Sequence, residues 1–349
     1  MKINRNNFSF LVKILTISFQ GIFALLLFIL VDSCNEPQVL KKTDAVDCLR
    51  ILNSDLIHLL NNATERPELK ALKFVLSQKS APIPFFDDSL NKSITVKDFS
   101  FKNNTGIYSW NTLTNEFKKM ADTGIIIIQF PLPNDASHNA ELVISDFSEG
   151  EINSGTNFPV LMNAVLLIDG EEALAISHIA SIEEKLPLSI NTSVIGKGYS
   201  FSFNFLRKGK ITEGNGNINV NFAFVAGFTE EMQSHFKADI HYQGNTYSYD
   251  KILFDQKMFD NLILGNMDFG KIDKTGSYTI DKFNKNIKIK VSSIKYKKEI
   301  GDIVLCGSPD TSIQSYCIVF SDGSKMALND QFGAFDKLLN LMEIIRNLR

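Results

Sequence analysis

Apolar and polar residues alternate with a period of two through most of the chain between residues 93 and 328. Tyr199, Phe201, Phe203 and Phe205 alternate with Ser200, Ser202 and Asn204, and Ile218, Val220, Phe222 and Phe224 alternate with Asn217, Asn219 and Asn221. This is the pattern of strands with one buried face. Asp169-Gly170 and Asp322-Gly323 read as tight hairpin turns, joining 161–168 to 171–179 and 316–320 to 325–328; such pairs accept the positive dihedrals of a short turn. Asn215-Gly216 is a further turn pair, ahead of the strand at 218–224, although the intervening loop from Lys208 is longer than two residues. Ile107 to Trp110, returning through Asn115-Glu116-Phe117, predicts another hairpin. The run Gly124 to Phe130, ended by Pro131, is apolar on consecutive positions and predicts a strand covered on both faces.

The period lengthens near both ends. Leu49, Leu52, Leu56, Leu59 and Leu60 stand at helical spacing and predict a helix over 44–62, and Pro67 opens a second over 68–78. Ala81-Pro82-Ile83-Pro84 is a loop, because proline lacks the donor a helix needs and restricts the residue before it. Phe335, Leu338, Leu339, Met342 and Ile345 form one stripe of a helix predicted over 331–348, with Lys337, Asn340, Glu343 and Arg346 opposite. Many strands joined by short turns, without helices between them, predict an α+β fold that is mainly β. The expectation is one domain over 43–349, a large curved antiparallel sheet covered by N-terminal helices and a C-terminal amphipathic helix.

The N-terminus follows a different logic. Lys2, Arg5 and Lys13 are basic, and residues 14–31 are apolar apart from Thr16, Ser18 and Gln20. The run ends in Leu30-Val31-Asp32-Ser33-Cys34, which resembles a bacterial lipoprotein signal, with Asp32 departing from the commonest pattern. The resemblance implies cleavage before Cys34, loss of residues 1–33, acylation of the Cys34 thiol, a tether over 34–42, and a lipid-held protein. In enterobacterial sorting an aspartate after the cysteine retains lipoproteins at the inner membrane, so by this resemblance Asn35 implies the outer membrane. Only Glu36 is acidic before Pro37, so the acidic cluster used for surface export in Bacteroidetes is short here, and the periplasmic face and the cell surface both stay open. The apolar run also approaches the roughly 17 to 25 residues that span a bilayer, so an inner-membrane anchor over 11–31 is the alternative. Asp88-Ser89-Leu90 resembles the O-glycosylation acceptor of Bacteroidetes, which makes Ser89 a candidate modification site.

Charge narrows the partners. With 36 basic and 39 acidic residues the net charge is -3, and neither a basic excess nor a reading motif for nucleic acid is present. Lys285, Lys288, Lys290, Lys295, Lys297 and Lys298 read as a solvated sheet face or as edge protection. With Cys34 assigned to lipid, Cys306 and Cys317 form a candidate disulfide across a hairpin, and Cys48 reads as a small buried residue on the first helix.

Catalytic chemistry is thin. The sequence contains no G-x-S-x-G, H-E-x-x-H, P-loop or C-x-x-C, and Asp268-Phe269-Gly270 stands without any other kinase element. No catalytic residue, cofactor or metal is expected. His235, Asp239 and His241 would share one face of a strand, but their spacing does not suit zinc, and they read as exposed polar residues. His138 and His178 could meet only through the fold. Asp87-Asp88, Glu171-Glu172 and Glu183-Glu184 read as solvated pairs.

The remaining signal is aromatic, with 28 phenylalanines in 349 residues. A Phe-lined sheet can enclose an apolar ligand, and at the level of architecture the pattern resembles the half-barrels of periplasmic lipoprotein carriers. The expected role is non-catalytic: membrane-anchored, with lipid or another apolar ligand as partner. The alternative is a surface adhesin or glycan-capture β-sandwich lipoprotein that meets a glycan or protein partner through exposed Trp110, Tyr242, Tyr247 and Tyr249.

Overall fold

The computed structural model describes residues 38–328 apart from 84–100, 134, 153–155, 228, 244–245, 269–279 and 307–314. Cys34, Asp87-Asp88, Ser89 and the helix expected over 331–348 lie outside the described residues.

The described residues are mainly β. Helices α1 (Lys42–Glu65) and α2 (Pro67–Ser77) come first, then the short α3 (Phe101–Asn104). They are followed by β1 (Gly106–Asn111), β2 (Glu116–Ala121), β3 (Ile126–Leu132), β4 (Asp135–Ile152), β5 (Thr156–Ile168), β6 (Glu171–Glu183), β7 (Leu186–Gly196) and β8 (Tyr199–Lys208). Next come β9 (Asn215–Ala226), β10 (Thr229–Gln243), β11 (Thr246–Met258), β12 (Asn261–Asp268), α4 (Ile280–Asn286), β13 (Ile287–Ser293), β14 (Lys298–Cys306), β15 (Ser315–Val319) and β16 (Lys325–Ala327).

Among the described residues sixteen strands form one mixed sheet whose hydrogen-bonded order follows the sequence from β16 back to β3 and ends β3-β1-β2. The turn pattern predicts a wholly antiparallel sheet, but β1 and β3 run parallel. The cause is local. The β1–β2 hairpin places β2 on the outer edge of β1, so the returning chain adds on the inner side, in the direction of β1. The chain divides into two compact units, one of residues up to Leu59 and from Phe205 onward, the other holding Leu60–Asn204.

In the Leu60–Asn204 unit, Asp169 (φ 51°) and Gly170 (φ 82°) make the two-residue turn that the sequence predicts between β5 and β6. The β6–β7 turn is also two residues long, yet it places Glu184 (φ 54°) and Lys185 (φ 58°) in the left-handed region without a glycine. Strand β3 corrects the expectation of cover on both faces. Ile126, Ile128 and Phe130 are buried, Ile127 is half-buried and Gln129 is exposed. The buried face meets α2, whose Phe74 ring lies 5.0 Å from that of Trp110 and 5.4 Å from that of Phe130. The other face carries Gln129, which donates to Glu141 over 2.7 Å.

At the start of α2, the Arg66 guanidinium lies 4.4 Å from the Tyr199 ring centroid and donates to the Lys197 carbonyl over 2.9 Å. A Cβ on Gly196 would stand 2.3 Å from Tyr199 ring atoms. The chain therefore needs glycine where the ring folds back on the β7–β8 turn.

In the other unit, the segment before α1 is tied to β14. Leu40 N donates to the Glu299 carbonyl over 2.9 Å, and Glu299 N donates to the Gln38 carbonyl over 3.0 Å. Helix α1 buries Ala45, Cys48, Leu49, Leu52 and Leu56, the stripe that the leucine spacing predicts, except that Leu59 is half-buried. One turn assignment changes. Asn215-Gly216 belongs to β9, and the chain turns earlier, at Gly209 (φ 92°) and Gly214 (φ 74°) around a 3-10 turn over Ile211–Glu213. Asp322-Gly323 turns the chain between β15 and β16 as the sequence predicts, in a loop over 320–324 where Ser324 N donates to Asp322 Oδ1 over 2.9 Å. Lys290, expected on a solvated face, is half-buried and bonds both carboxylate oxygens of Glu299, at 3.0 and 2.8 Å.

Candidate functional site

The most distinctive surface is the buried face of β8 to β13 in the unit that begins at Phe205. Alternation puts Phe205 and Arg207 of β8 on this face, with Ile218, Val220 and Phe222 of β9, and Met232, Phe236 and Ile240 of β10. Register then aligns the rows. Phe236 stands opposite Val220 on one side and Phe254 on the other, and Met232 opposite Met258. Each such ring contributes roughly 1.5 to 3 kcal/mol by leaving water, and methionine adapts its shape to irregular contacts.

The two ends of this face differ. At one end the Arg207 side chain, 1% exposed, donates to Tyr242 Oη over 2.9 Å and to the Gly209 carbonyl over 3.1 Å. Tyr242 in turn donates to the Gly209 carbonyl over 2.9 Å. Tyr242, Tyr247 and Tyr249 pack edge to face, with centroids 6.2 and 5.7 Å apart. A register shift between Asp239 and Ile240 makes this possible. It moves Tyr247 and Tyr249 onto the face that even-numbered residues occupy further along β11. Burial pushes the Tyr247 phenol well up and the Tyr249 phenol up to about 12.

The opposite end of the face buries uncharged polar side chains. Ser234 stands opposite Gln256, and Asn261 stands between Met258 and Ser293. All four polar residues are buried. Ser293 bonds the Cys48 thiol of α1, whose pKa is raised chiefly by burial. Asp55 of α1 lies at this end, and burial, then Asp260 and Glu231, push its carboxyl up.

These aromatic residues are not the exposed platforms that the adhesin alternative needs. Tyr242 and Tyr247 are buried and Tyr249 is half-buried; Trp110 is half-buried against Phe74 and Phe117. Cross-strand packing joins the three tyrosines.

The structure places the other candidate residues apart. His235, Asp239 and His241 share the exposed face of β10, but His235 Nδ1 lies 3.1 Å from Asp255 Oδ1 and His241 Nδ1 lies 2.8 Å from Asn215 Oδ1. Asp239 stands opposite Lys251. Among the described residues no group of three His, Cys, Asp or Glu is placed to hold a metal ion. His178, in the middle of β6, bonds the Pro159 carbonyl and Thr192 Oγ1. His138, at the start of β4, meets Asp169 and lies 3.7 Å from Asp135, so the two histidines do not meet. Glu171-Glu172 is exposed at the start of β6, and Glu183-Glu184 enters the β6–β7 turn. Cys306 of β14 and Cys317 of β15 are joined by a disulfide, with Cα atoms 5.8 Å apart.

Beside His138 and Asp169 opens a cleft of about 420 Å³, lined by Gln129, Glu141, Asn139 and Asp169 among others. Its carboxylates are engaged already, Glu141 by Gln129 and Asp169 by His138 and the Asn139 N–H.

Sequence reasoning passed over Arg207, Ser234, Gln256 and Asn261. The signal was parity. Arg207 continues the odd positions Phe201, Phe203 and Phe205, and Gln256 sits between Phe254 and Met258 on even ones.

Compared with known proteins, the chain matches no family model, no curated protein and no solved structure. Among the described residues no helix is long and apolar enough to cross a membrane.

Proposed function

We propose that the protein is a lipid-anchored, non-catalytic component of the bacterial cell envelope that binds an apolar ligand, such as a lipid, along the buried face of β8 to β13. The observation that carries this reading is that face itself. Phenylalanines and methionines on successive strands lie between a buried guanidinium and a set of buried amide and hydroxyl groups. An apolar surface with a few converging polar groups is the usual make-up of a small-molecule site. The finer architecture of this reading is a curved sheet with helices over its binding face, as in periplasmic carriers. The anchor rests on the N-terminal sequence: residues 1–33 are removed, Cys34 takes the acyl chains, and Asn35 directs the protein to the outer membrane. The Cys306 to Cys317 disulfide supports export, because such bonds persist in oxidising compartments.

Two measurements test this. Metabolic labelling with a palmitate analogue should mark the wild-type protein and not Cys34→Ala; label retained by the variant would put the anchor elsewhere, and an uncleaved, unlabelled chain would favour an inner-membrane anchor over 11–31. Native mass spectrometry of the protein extracted in mild detergent should reveal bound lipid. No co-purifying lipid, together with no uptake of fluorescent lipid, would sink the ligand reading.

A further inference from the structure

Three polar side chains occupy adjoining positions on the buried face of β10, β11 and β12. Ser234 is 3% exposed, Gln256 0% and Asn261 3%. Ser234 and Gln256 stand directly opposite each other, and Asn261 stands opposite Met258, the next residue along that face of β11 from Gln256. The Ser234 hydroxyl, both Gln256 amide atoms and Asn261 Oδ1 have no hydrogen-bond partner among the described residues. Their apolar neighbours on the face, Phe222, Met232, Phe236, Phe254 and Ile263, offer none, and Ser293, opposite Asn261, is engaged by the Tyr296 N–H and the Cys48 thiol.

A buried polar group without a partner costs on the order of 1 to 3 kcal/mol. Native proteins pair more than nine in ten of them, so three such residues side by side on neighbouring strands need a cause. Their chemistry describes the missing complement. Gln256 Nε2 donates, Gln256 Oε1 and Asn261 Oδ1 accept, and the Ser234 hydroxyl does either. A group that both donates and accepts satisfies the set. Charge narrows it further. The titratable groups at this end are Asp44, Asp47, Asp55, His58 and the Cys48 thiol of α1, Glu231 from the start of β10, Asp260 from the β11–β12 turn, and Lys295. Five carboxylates against one ammonium and one imidazole disfavour an anionic head.

We propose that Ser234, Gln256 and Asn261 hold the uncharged, hydroxyl- or amide-bearing head of an otherwise apolar ligand, a monoacylglycerol being the simplest example, whose chain lies against Phe236 and Phe254. This rests on the apolar-ligand reading above and deepens it by naming the head group and the residues that select it.

The test uses the full-length protein in mild detergent with three photoactivatable probes of equal chain length: a monoacylglycerol, a fatty acid and a headless hydrocarbon. Wild-type protein should be labelled by the monoacylglycerol at least about tenfold more efficiently than by the hydrocarbon, with adducts mapping to β10 to β12. The double variant Ser234→Ala, Gln256→Met nearly keeps the volume and removes three of the four unpartnered polar atoms, leaving Asn261 Oδ1. It should fold at least as stably as wild type and label equally with both probes. A tenfold preference that survives in this variant overturns the proposal, as does preferential labelling of the wild type by the fatty acid. Labelling of the wild type by both neutral probes without preference assigns the triad to structural water and also overturns it. If no probe labels the wild type, the apolar-ligand reading itself has failed, a result distinct from the other three.

Discussion

Arg207 and Tyr242, 35 positions apart, are joined by a 2.9 Å hydrogen bond from guanidinium to phenol, with the arginine almost wholly withdrawn from water. A buried cation needs its hydrogen bonds satisfied, because its solvation has been given up. Tyr242→Phe removes one of its acceptors and keeps the ring. Equilibrium unfolding in urea should show a loss of about 1.5 to 3 kcal/mol, the range for hydrogen bonds to charged groups. An unchanged midpoint would mean that the Gly209 carbonyl and the remaining contacts suffice.

Gly216 faces this pair from β9. A Cβ there would lie 2.4 Å from the Lys208 carbonyl oxygen, which is backbone and cannot swing aside, and 3.1 Å from Tyr242 Oη. Gly216→Ala should therefore destabilise by about 1 to 3 kcal/mol through overpacking. Gly124→Ala is the control, since nothing lies within 4 Å of its Cβ, and it should stay within about 0.5 kcal/mol. Thermal melts of the two variants side by side decide the point.

The β6–β7 turn holds two non-glycine residues at positive φ, Glu184 and Lys185. Left-handed geometry costs each of them roughly 1 to 2 kcal/mol. Glu184→Asn with Lys185→Gly supplies the residues this turn favours and should raise stability by about 1 kcal/mol, part of the gain being offset by the entropy of an added glycine. The change removes the Lys185 to Glu151 ion pair at 2.9 Å, which is exposed and contributes little. A lower melting temperature would show that the pair matters more than the turn.

His138 and His178 should titrate in opposite directions. The hydrogen bond to Asp169, then the charges of Asp169 and Asp135, raise the His138 pKa above its ordinary value of about 6.5. Its contribution to stability is complete below that value and is lost as pH rises through the higher folded pKa. Burial lowers the His178 pKa, with the Pro159 carbonyl opposing. There the unfolded chain binds the extra proton, so stability falls as pH drops below about 6.5 toward the folded value. Imidazole proton shifts followed by NMR would show both, and Asp169→Asn should bring His138 back toward normal while leaving His178 in place.

The disulfide closes a loop with a sequence separation of 11. Loops of this size gain about 2 to 3 kcal/mol from cross-linking on chain entropy. Reduction, or Cys306→Ser with Cys317→Ser, should cost about that much in denaturant titration. Cys48→Ser provides the contrast, since that thiol is unbridged and buried.

Much of the strand plan was legible because it is local. The alternation around Phe201 and Phe222 and the turn at Asp169-Gly170 depend only on backbone pleat and on which residues tolerate positive φ. The misreadings arose where distant chain intervened. Gly124 to Phe130 looked like a doubly covered strand, but α2 reaches only the face with Phe130, and the face with Gln129 meets polar neighbours. Asn215-Gly216 looked like a turn, but β10 pairs with those residues and extends β9 through them. Glu184-Lys185 carries no turn residue, and pairing between β6 and β7 holds its geometry.

The mainly β character therefore follows from sequence alone, because a period of two is written in consecutive residues. Which polar groups end up inside is a tertiary matter. Arg207, Ser234, Gln256 and Asn261 are ordinary strand residues by type, and only the register that sets each beside its cross-strand neighbours, together with the cover over that face, takes them out of water. Burial converts an unremarkable amide into a group that needs a partner. That conversion requires residues brought from far along the chain, as when α1 carries Asp55 and Cys48 to the strand ends at Asp260 and Ser293.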